Sequence, residues 1–262
     1  MRLAAAAFLV MAGATPALAQ QKPALTPADY ARWESIEATA LSPDGEWFAY
    51  TVTRVDDDGE LRYRQAAHDS TVVVQYGSRP AFSPGGRWLA YSTGVAEDER
   101  ERLQASNEPI RSKVGIADLH TGAVRVVDDI ADFAFSGDGR YLWLRGYAGG
   151  DGSSKGVDVI VQDLETGVNT TFGNVAEQAW QDSGALLAMV IDAASSAGDG
   201  VRLYDAASGV IRTLEVDTAG FRGLVWRDGS ADLAFLRVRP DSAWEEPNHT
   251  IIAWRGVDAR GG

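Results

Sequence analysis

The chain has 262 residues, 45% of them hydrophobic, with 24 Lys and Arg against 37 Asp and Glu, and no cysteine. A net charge of −13 at pH 7 excludes a basic footprint for nucleic acid, and the missing cysteine excludes disulfides and thiolate metal sites. A chain of this length supports a large core, which apolar burial and sheet pairing must hold together.

Residues 1–19 read as a secretory signal peptide. Arg2 is a minimal positive region, Leu3–Ala14 is a short apolar run, and Ala17-Leu18-Ala19 fits a small-residue cleavage site. The run is short for a bilayer span, and a retained anchor is the competing reading. Cleavage would leave a periplasmic or secreted chain beginning near Gln20, with no membrane segment. Residues 20–37 are expected to form a helical lead-in, with Thr26 as N-cap, Pro27 at the first helical position and Asp29 at the positive helix end.

The remainder, residues 38–262, is built on repeats. Ala-Leu-Ser-Pro-Asp-Gly-Glu-Trp-Phe-Ala-Tyr at Ala40–Tyr50 returns as Ala-Phe-Ser-Pro-Gly-Gly-Arg-Trp-Leu-Ala-Tyr at Ala81–Tyr91. Weaker copies run Ala134–Leu144, Ala179–Met189 and Val225–Phe235. Each is an apolar residue, a turn in which proline presets φ and glycine takes the left-handed position, then an aromatic or β-branched strand. The turn glycines lie 41, 53 and 45 residues apart (Gly45, Gly86, Gly139, Gly184). The long interval contains Glu97–Gln104, whose opposite charges at helical spacing predict a helical excursion within one unit.

A second motif alternates with the first: Asp118-Leu119-His120-Thr121-Gly122, Asp163-Leu164-Glu165-Thr166-Gly167 and Asp205-Ala206-Ala207-Ser208-Gly209. A carboxylate opening and a glycine closing such a segment is hairpin chemistry. One unit is therefore a four-stranded antiparallel meander of about 45 residues, the size of a propeller blade. The fold class is all-β, a β-propeller of about five blades that reads as part of a seven- or eight-bladed ring. The first unit lacks the second turn motif and is expected to be irregular.

Leu25-Thr26-Pro27-Ala28-Asp29-Tyr30, Trp33-Glu34, the Ser-Pro-Asp-Gly copies, Tyr76-Gly77-Ser78, the Glu/Arg excursion and Asp163-Leu164 together resemble the N-terminal β-propeller of exported S9 (prolyl oligopeptidase-like) serine peptidases. The Ser-Pro-Asp-Gly repeats alone are shared with TolB-like propellers. The resemblance implies a substrate-gating propeller that serves short peptides through an α/β-hydrolase domain carrying a Ser-Asp-His triad. This sequence stops before such a domain begins, so no catalytic residue is assigned and the chain alone is expected to be inactive. In some relatives a propeller-borne helix presents glutamates to the substrate amine, which makes Glu97, Glu99 and Glu101 the candidate substrate-binding residues. Arg100 and Arg102, alternating with them, equally fit a solvated helix.

Chemistry within the chain has few other candidates. Gly152-Ser153-Ser154-Lys155-Gly156 matches G-x-S-x-G, but a β run follows it where a nucleophile elbow needs a helix, so Ser154 is read as a loop residue. His68, His120 and His249 have no metal-ligand spacing, and Asp56-Asp57-Asp58-Gly59 lacks the later ligands of a calcium loop. No cofactor and no metal are expected. Trp47, Trp88, Trp143, Trp180 and Trp226 recur with the repeat and are read as packing between blades. The alternative function is a stand-alone TolB-like propeller that binds a protein partner. A closed five-bladed ring is a third possibility, since an open ring would leave apolar faces uncovered.

Overall fold

The computed structural model describes Thr26, Tyr30 and residues 33–55, 59–149, 156–193, 198–240 and 247–258. The signal-peptide residues, Ser154 and Asp56–Asp58 lie outside the described residues. Strands follow the repeat. In blade 1, β1 (Glu34–Leu41), β2 (Trp47–Arg54), β3 (Glu60–Gln65) and β4 (Thr71–Gln75) pair antiparallel in chain order. Blade 2 holds β5 (Gly77–Phe82), β6 (Trp88–Thr93), β7 (Lys113–Asp118) and β8 (Val124–Val127), with the helix α1 (Glu97–Ala105) between β6 and β7. Blades 3 and 4 are joined: β9 (Ile130–Phe135), β10 (Tyr141–Gly146), β11 (Val157–Asp163), β12 (Asn169–Trp180), β13 (Leu186–Ile191), β14 (Gly200–Asp205) and β15 (Val210–Val216) form one seven-stranded sheet. Blade 5 has β16 (Gly220–Trp226), β17 (Leu233–Arg239) and β18 (Asn248–Trp254) among the described residues.

Two expectations need correction. Glu34–Glu37 were assigned to the helical lead-in, yet β1 begins at Glu34, because Glu34, Ser35 and Ile36 pair with Arg54, Thr53 and Val52. Strand pairing there outweighs the helix-start chemistry upstream of it. Blade 1 was expected to be irregular, yet it has four strands in regular order. What closes its second turn is a hydrogen bond common to all five blades. The amide of Ala66 donates to the Glu46 carbonyl at 2.7 Å, as Leu119 does to Arg87, Leu164 to Arg140, Ala206 to Ala185 and Val257 to Ala231. That bond uses only backbone atoms, so the Asp-x-x-Thr-Gly residues are dispensable for it.

The first turn is specified by side chains. The hydroxyls of Ser42, Ser83 and Ser136 each accept from the amide five residues on, at Trp47, Trp88 and Tyr141. Ser42 and Ser136 donate in turn to Asp44 and Asp138, whose carboxylates take the amides of Glu46 and Arg140. Gly45, Gly86 and Gly139 close these turns with φ of 73°, the left-handed region that glycine enters without cost. In a meander of this kind the first and second turns lie at one end of the blade. The second-to-third-strand connections, including α1, lie at the other.

Alternation along each strand gives every blade two apolar faces, one toward the preceding blade (front) and one toward the next (back). Four cores result. Ala49, Leu61 and Tyr63 of blade 1 meet Leu89, Tyr91, Ala117 and Leu119 of blade 2. Trp88, Ala90, Val114 and Ile116 meet Leu142, Leu144 and Leu164 of blade 3. Tyr141, Trp143, Val159 and Val161 meet Leu187, Met189 and Tyr204 of blade 4. Leu186, Ala188, Val201 and Leu203 meet Trp226, Leu233, Phe235 and Val257 of blade 5. Of the recurring tryptophans, Trp88, Trp143 and Trp226 are thus core residues between blades, and Trp47 and Trp180 pack partly buried against the same cores.

Each first strand also carries an irregularity of register, at Ile36/Thr39, Ser78/Ala81, Arg145/Gly146 across β9, Val175/Glu177 and Arg222/Val225. A bulge leaves amides unpaired by the ladder. In blade 5 the Glu177 carboxylate of blade 4 accepts from both Gly223 and Leu224 at 2.7 Å, fixing one blade to the next.

Candidate functional site

The structure places Glu97, Glu99 and Glu101 together on α1, as the charge spacing predicts. The helix has no buried residue and no side-chain N-cap, and Glu97, Asp98 and Glu99 sit in its first turn, at the positive end of the dipole. Intrahelical pairs support it. Arg100 Nη1 lies 2.7 Å from Glu97 Oε2, and Arg102 makes a two-pronged contact to Glu99 at 2.7 and 2.8 Å. Hydrogen bonding to Arg102 holds the Glu99 carboxyl below its ordinary range. Glu101 is exposed and has no ion pair among the described residues. Of the three, it is the one whose carboxylate is open to an incoming cation.

At the other end of the blades, arginines of the first turns pair with aspartates of the second. Arg87 lies 3.1 Å from Asp118, and Arg140 lies 2.8 Å from Asp163. Burial would raise both carboxyls, but the guanidiniums and the turn amides of His120, Glu165 and Thr166 outweigh it and hold them low. Asp44, Asp217 and Asp232 are lowered too, by Ser42, Arg239 and the Gly256 amide first in each case. A carboxyl lowered by folding stabilises the fold above its unfolded pKa and loses that contribution as pH falls through the folded value. Thermal unfolding is therefore expected to change little between about pH 7 and 5 and to drop below about pH 4. Asp163→Asn should remove part of that acid dependence. A melting temperature that stays flat down to pH 3 would contradict it.

The remaining sequence candidates are not brought together. His120 lies in the second turn of blade 2, where its amide donates to Asp118, His68 lies in the β3–β4 turn, and His249 on β18 sits 2.5 Å from Arg222. Among the described residues no group of three or more His, Asp or Glu is placed to hold a metal ion, and no helix is long and apolar enough to cross a membrane.

The repeat spacing did not indicate the open hollow on the front of blade 1, about 880 Å³, lined by Ile36, Leu41, Phe48, Tyr50, Arg62 and Arg64. Phe48 and Tyr50 stack with centroids 5.9 Å apart, and the Arg64 guanidinium lies 4.8 Å above Phe48. At its rim Arg54 and Arg62 neutralise Glu34 and Glu60. The alternation of aromatic and charged residues along β2 and β3 would have found it had the two strands been read as a pair.

Consecutive four-stranded meanders packed face to face define a β-propeller. Solved structures with the same fold include the β-propeller domain of the Trilobed protease from Pyrococcus furiosus, described as having an open velcro topology. That match has a TM-score of 0.51 and 14% identity, over 86% of this chain and 70% of that one. Pyrococcus horikoshii acylaminoacyl peptidase is similar at a TM-score of 0.48 and 14% identity, over 87% of this chain and 40% of that one. TolB from Acinetobacter baumannii is similar at 0.39 and 16%, over 85% and 53%. The propellers of S9 peptidases, the family that the motifs resemble, are thus among its structural neighbours, and at these identities the likeness is one of fold. The chain spans about 40% of the acylaminoacyl peptidase. No family model and no curated protein matches the sequence.

Proposed function

We propose that the chain is the substrate-gating propeller of an exported S9-type serine peptidase that acts on short peptides. The observation that carries this reading is the placement of α1. It leaves blade 2 at the loop-bearing end and presents Glu101, which has no ion pair among the described residues, on the same helix as the ion-paired Glu97 and Glu99, a geometry suited to a peptide ammonium. The α/β-hydrolase domain would lie outside these 262 residues, and the mature chain would begin near Gln20 in the periplasm or outside the cell.

Titration of the purified chain with a free-amine tripeptide and its N-acetylated form tests the role of α1. The free amine is expected to bind, and both acetylation and Glu101→Gln to weaken it about tenfold, or about 1.4 kcal/mol. Equal binding of the two peptides would sink the assignment. The DNA downstream separates the wider readings. A frame that continues into further Ser-Pro-Asp-Gly repeats and a nucleophile elbow supports the peptidase. A stop codon followed by an unrelated gene favours a partner-binding propeller.

A further inference from the structure

The seam between blades 2 and 3 is filled at its turn end, and the seam between blades 3 and 4 is not. In blade 2, Trp88 follows the first turn. The Arg125 guanidinium lies 5.3 Å from the centre of its ring and donates to the Leu164 carbonyl of blade 3 at 2.9 Å. One blade on, the matching positions hold smaller residues. Tyr141 closes its turn on Ser136 as Trp88 does on Ser83, and Thr170 pairs with Val161 as Arg125 does with Ile116. The Ala206 amide of blade 4 takes the Ala185 carbonyl as that of Leu164 takes the Arg140 carbonyl. Tryptophan, arginine and leucine are thus replaced by tyrosine, threonine and alanine at a single seam. A hollow of about 210 Å³ lies there, lined by Tyr141, Thr170, Tyr204 and Ala206, with Asp163 and Val168 beside them. The glycines of the second turns differ in the same sense. A Cβ at Gly167 would meet Arg125 Nη1 at 3.4 Å, and one at Gly209, its counterpart, would have nothing within 4 Å.

The charges differ in step with the volumes. In blade 2 two guanidiniums, of Arg87 and Arg125, lie over Trp88 beside one carboxylate, Asp118. In blade 3 one guanidinium, of Arg140, lies 5.4 Å from the centre of the Tyr141 ring and is shared by two carboxylates, Asp163 at 2.8 Å and Glu165 at 3.8 Å. Blade 3 is therefore short of one cation on an aromatic face. We infer that the hollow between blades 3 and 4 is a binding site for a guanidinium supplied from outside the chain, resting on the Tyr141 ring and donating to the Ala206 carbonyl as Arg125 does to that of Leu164. Guanidinium suits it better than ammonium, because a flat, weakly hydrated ion with donors in its plane stacks on a ring and hydrogen-bonds at its edge at once. Both walls belong to blades 3 and 4, at the end away from α1, so the site is independent of the amine-binding role of Glu101.

Calorimetric titration of the 262-residue chain with methylguanidinium, N-acetyl-arginine amide and N-acetyl-citrulline amide tests this, with the Thr170 and Gly209 amide resonances locating the contact. None of the probes carries a free amine, so none reports on α1. Both cations are expected to bind saturably at millimolar concentration. Citrulline, nearly the same shape without the charge, should bind more weakly by about tenfold, the scale of a hydrogen bond from a charged group. Glu165→Gln, an exposed change that leaves the fold alone, should weaken both cations by about threefold, as a part-exposed charge does. Thr170→Arg, which supplies the guanidinium from within, should abolish binding and leave the melting temperature at or above that of wild type. Tighter binding of N-acetyl-arginine amide than of methylguanidinium would identify the source as an arginine side chain of a peptide or protein, and the reverse a free guanidino compound. No saturable binding, equal binding of the citrulline probe, or binding that survives Thr170→Arg would each overturn the inference.

Discussion

Phe235→Ala is expected to cost about 3–5 kcal/mol and to release blade 5 ahead of the rest. Phe235 is 1% exposed, packs edge-on to Phe221 with centroids 6.0 Å apart, and belongs to the core between blades 4 and 5. Removing the ring leaves a cavity between blades 4 and 5, and in an array of blades each unit is stabilised only by its neighbours. Leu187→Ala, in the core between blades 3 and 4, should cost about 2–5 kcal/mol without separating those two blades. They share β12, whose first half pairs with β11 and whose second half pairs with β13. Hydrogen exchange reads the difference: in Phe235→Ala, protection should fall first in β16–β18, and in Leu187→Ala across β9–β15 together. Uniform loss of protection in Phe235→Ala would refute the stepwise picture.

Gly137→Ala is expected to destabilise by about 1–3 kcal/mol, as overpacking of a closed contact does. A Cβ at Gly137 would lie 2.2 Å from the Asp182 carbonyl oxygen, in the first turn of blade 4, and backbone cannot swing aside as a side-chain tip can. The first turns of neighbouring blades touch elsewhere too, since a Cβ at Gly86 would meet Asp44 and one at Gly139 would meet Pro84. Gly45→Ala is the control. It has nothing within 4 Å, so it should cost only the left-handed strain at φ 73°, about 1–2 kcal/mol. Urea unfolding of the two variants compares them directly. An effect of Gly137→Ala no larger than that of Gly45→Ala would show that the turns do not press on one another.

The architecture was legible because the turns are encoded in side chains. Ser42, Asp44 and Gly45 each perform a hydrogen-bonding or conformational task that few other residues can, so their repetition marks the blades. The blade 1 second turn was misjudged for the converse reason: its closing bond runs from the Ala66 amide to the Glu46 carbonyl and leaves no trace in residue type. The bulges were hidden likewise, since Arg79, Ala131 and Ala176 look like ordinary strand residues. The boundary at Glu34 failed because Thr26-Pro27 signals a helix start but nothing nearby signals its end. At the candidate site, α1 and its charges were readable from Glu97 to Arg102. Which glutamate stays unpaired was not, because that depends on which rotamers Arg100 and Arg102 adopt.

Tyr76, Asp129 and Asn174 take left-handed φ of 57°, 59° and 58° immediately before the next blade begins. In blades 1 and 3 this residue also anchors the chain, the Tyr76 and Asn174 carbonyls accepting from Gly94 and Asp192 at 2.9 Å. Between the last strand of one blade and the first of the next, the chain spends one residue at 76, two at 128–129, none within β12 and three at 217–219. The crossings from second to third strand, such as 94–112, range far more widely. Lineages of such chains should therefore vary in length at those crossings and in whole blades, and hardly at all at the seams. A duplication cut at Tyr76 or Asn174 would insert a complete blade with both of its faces already matched to its neighbours.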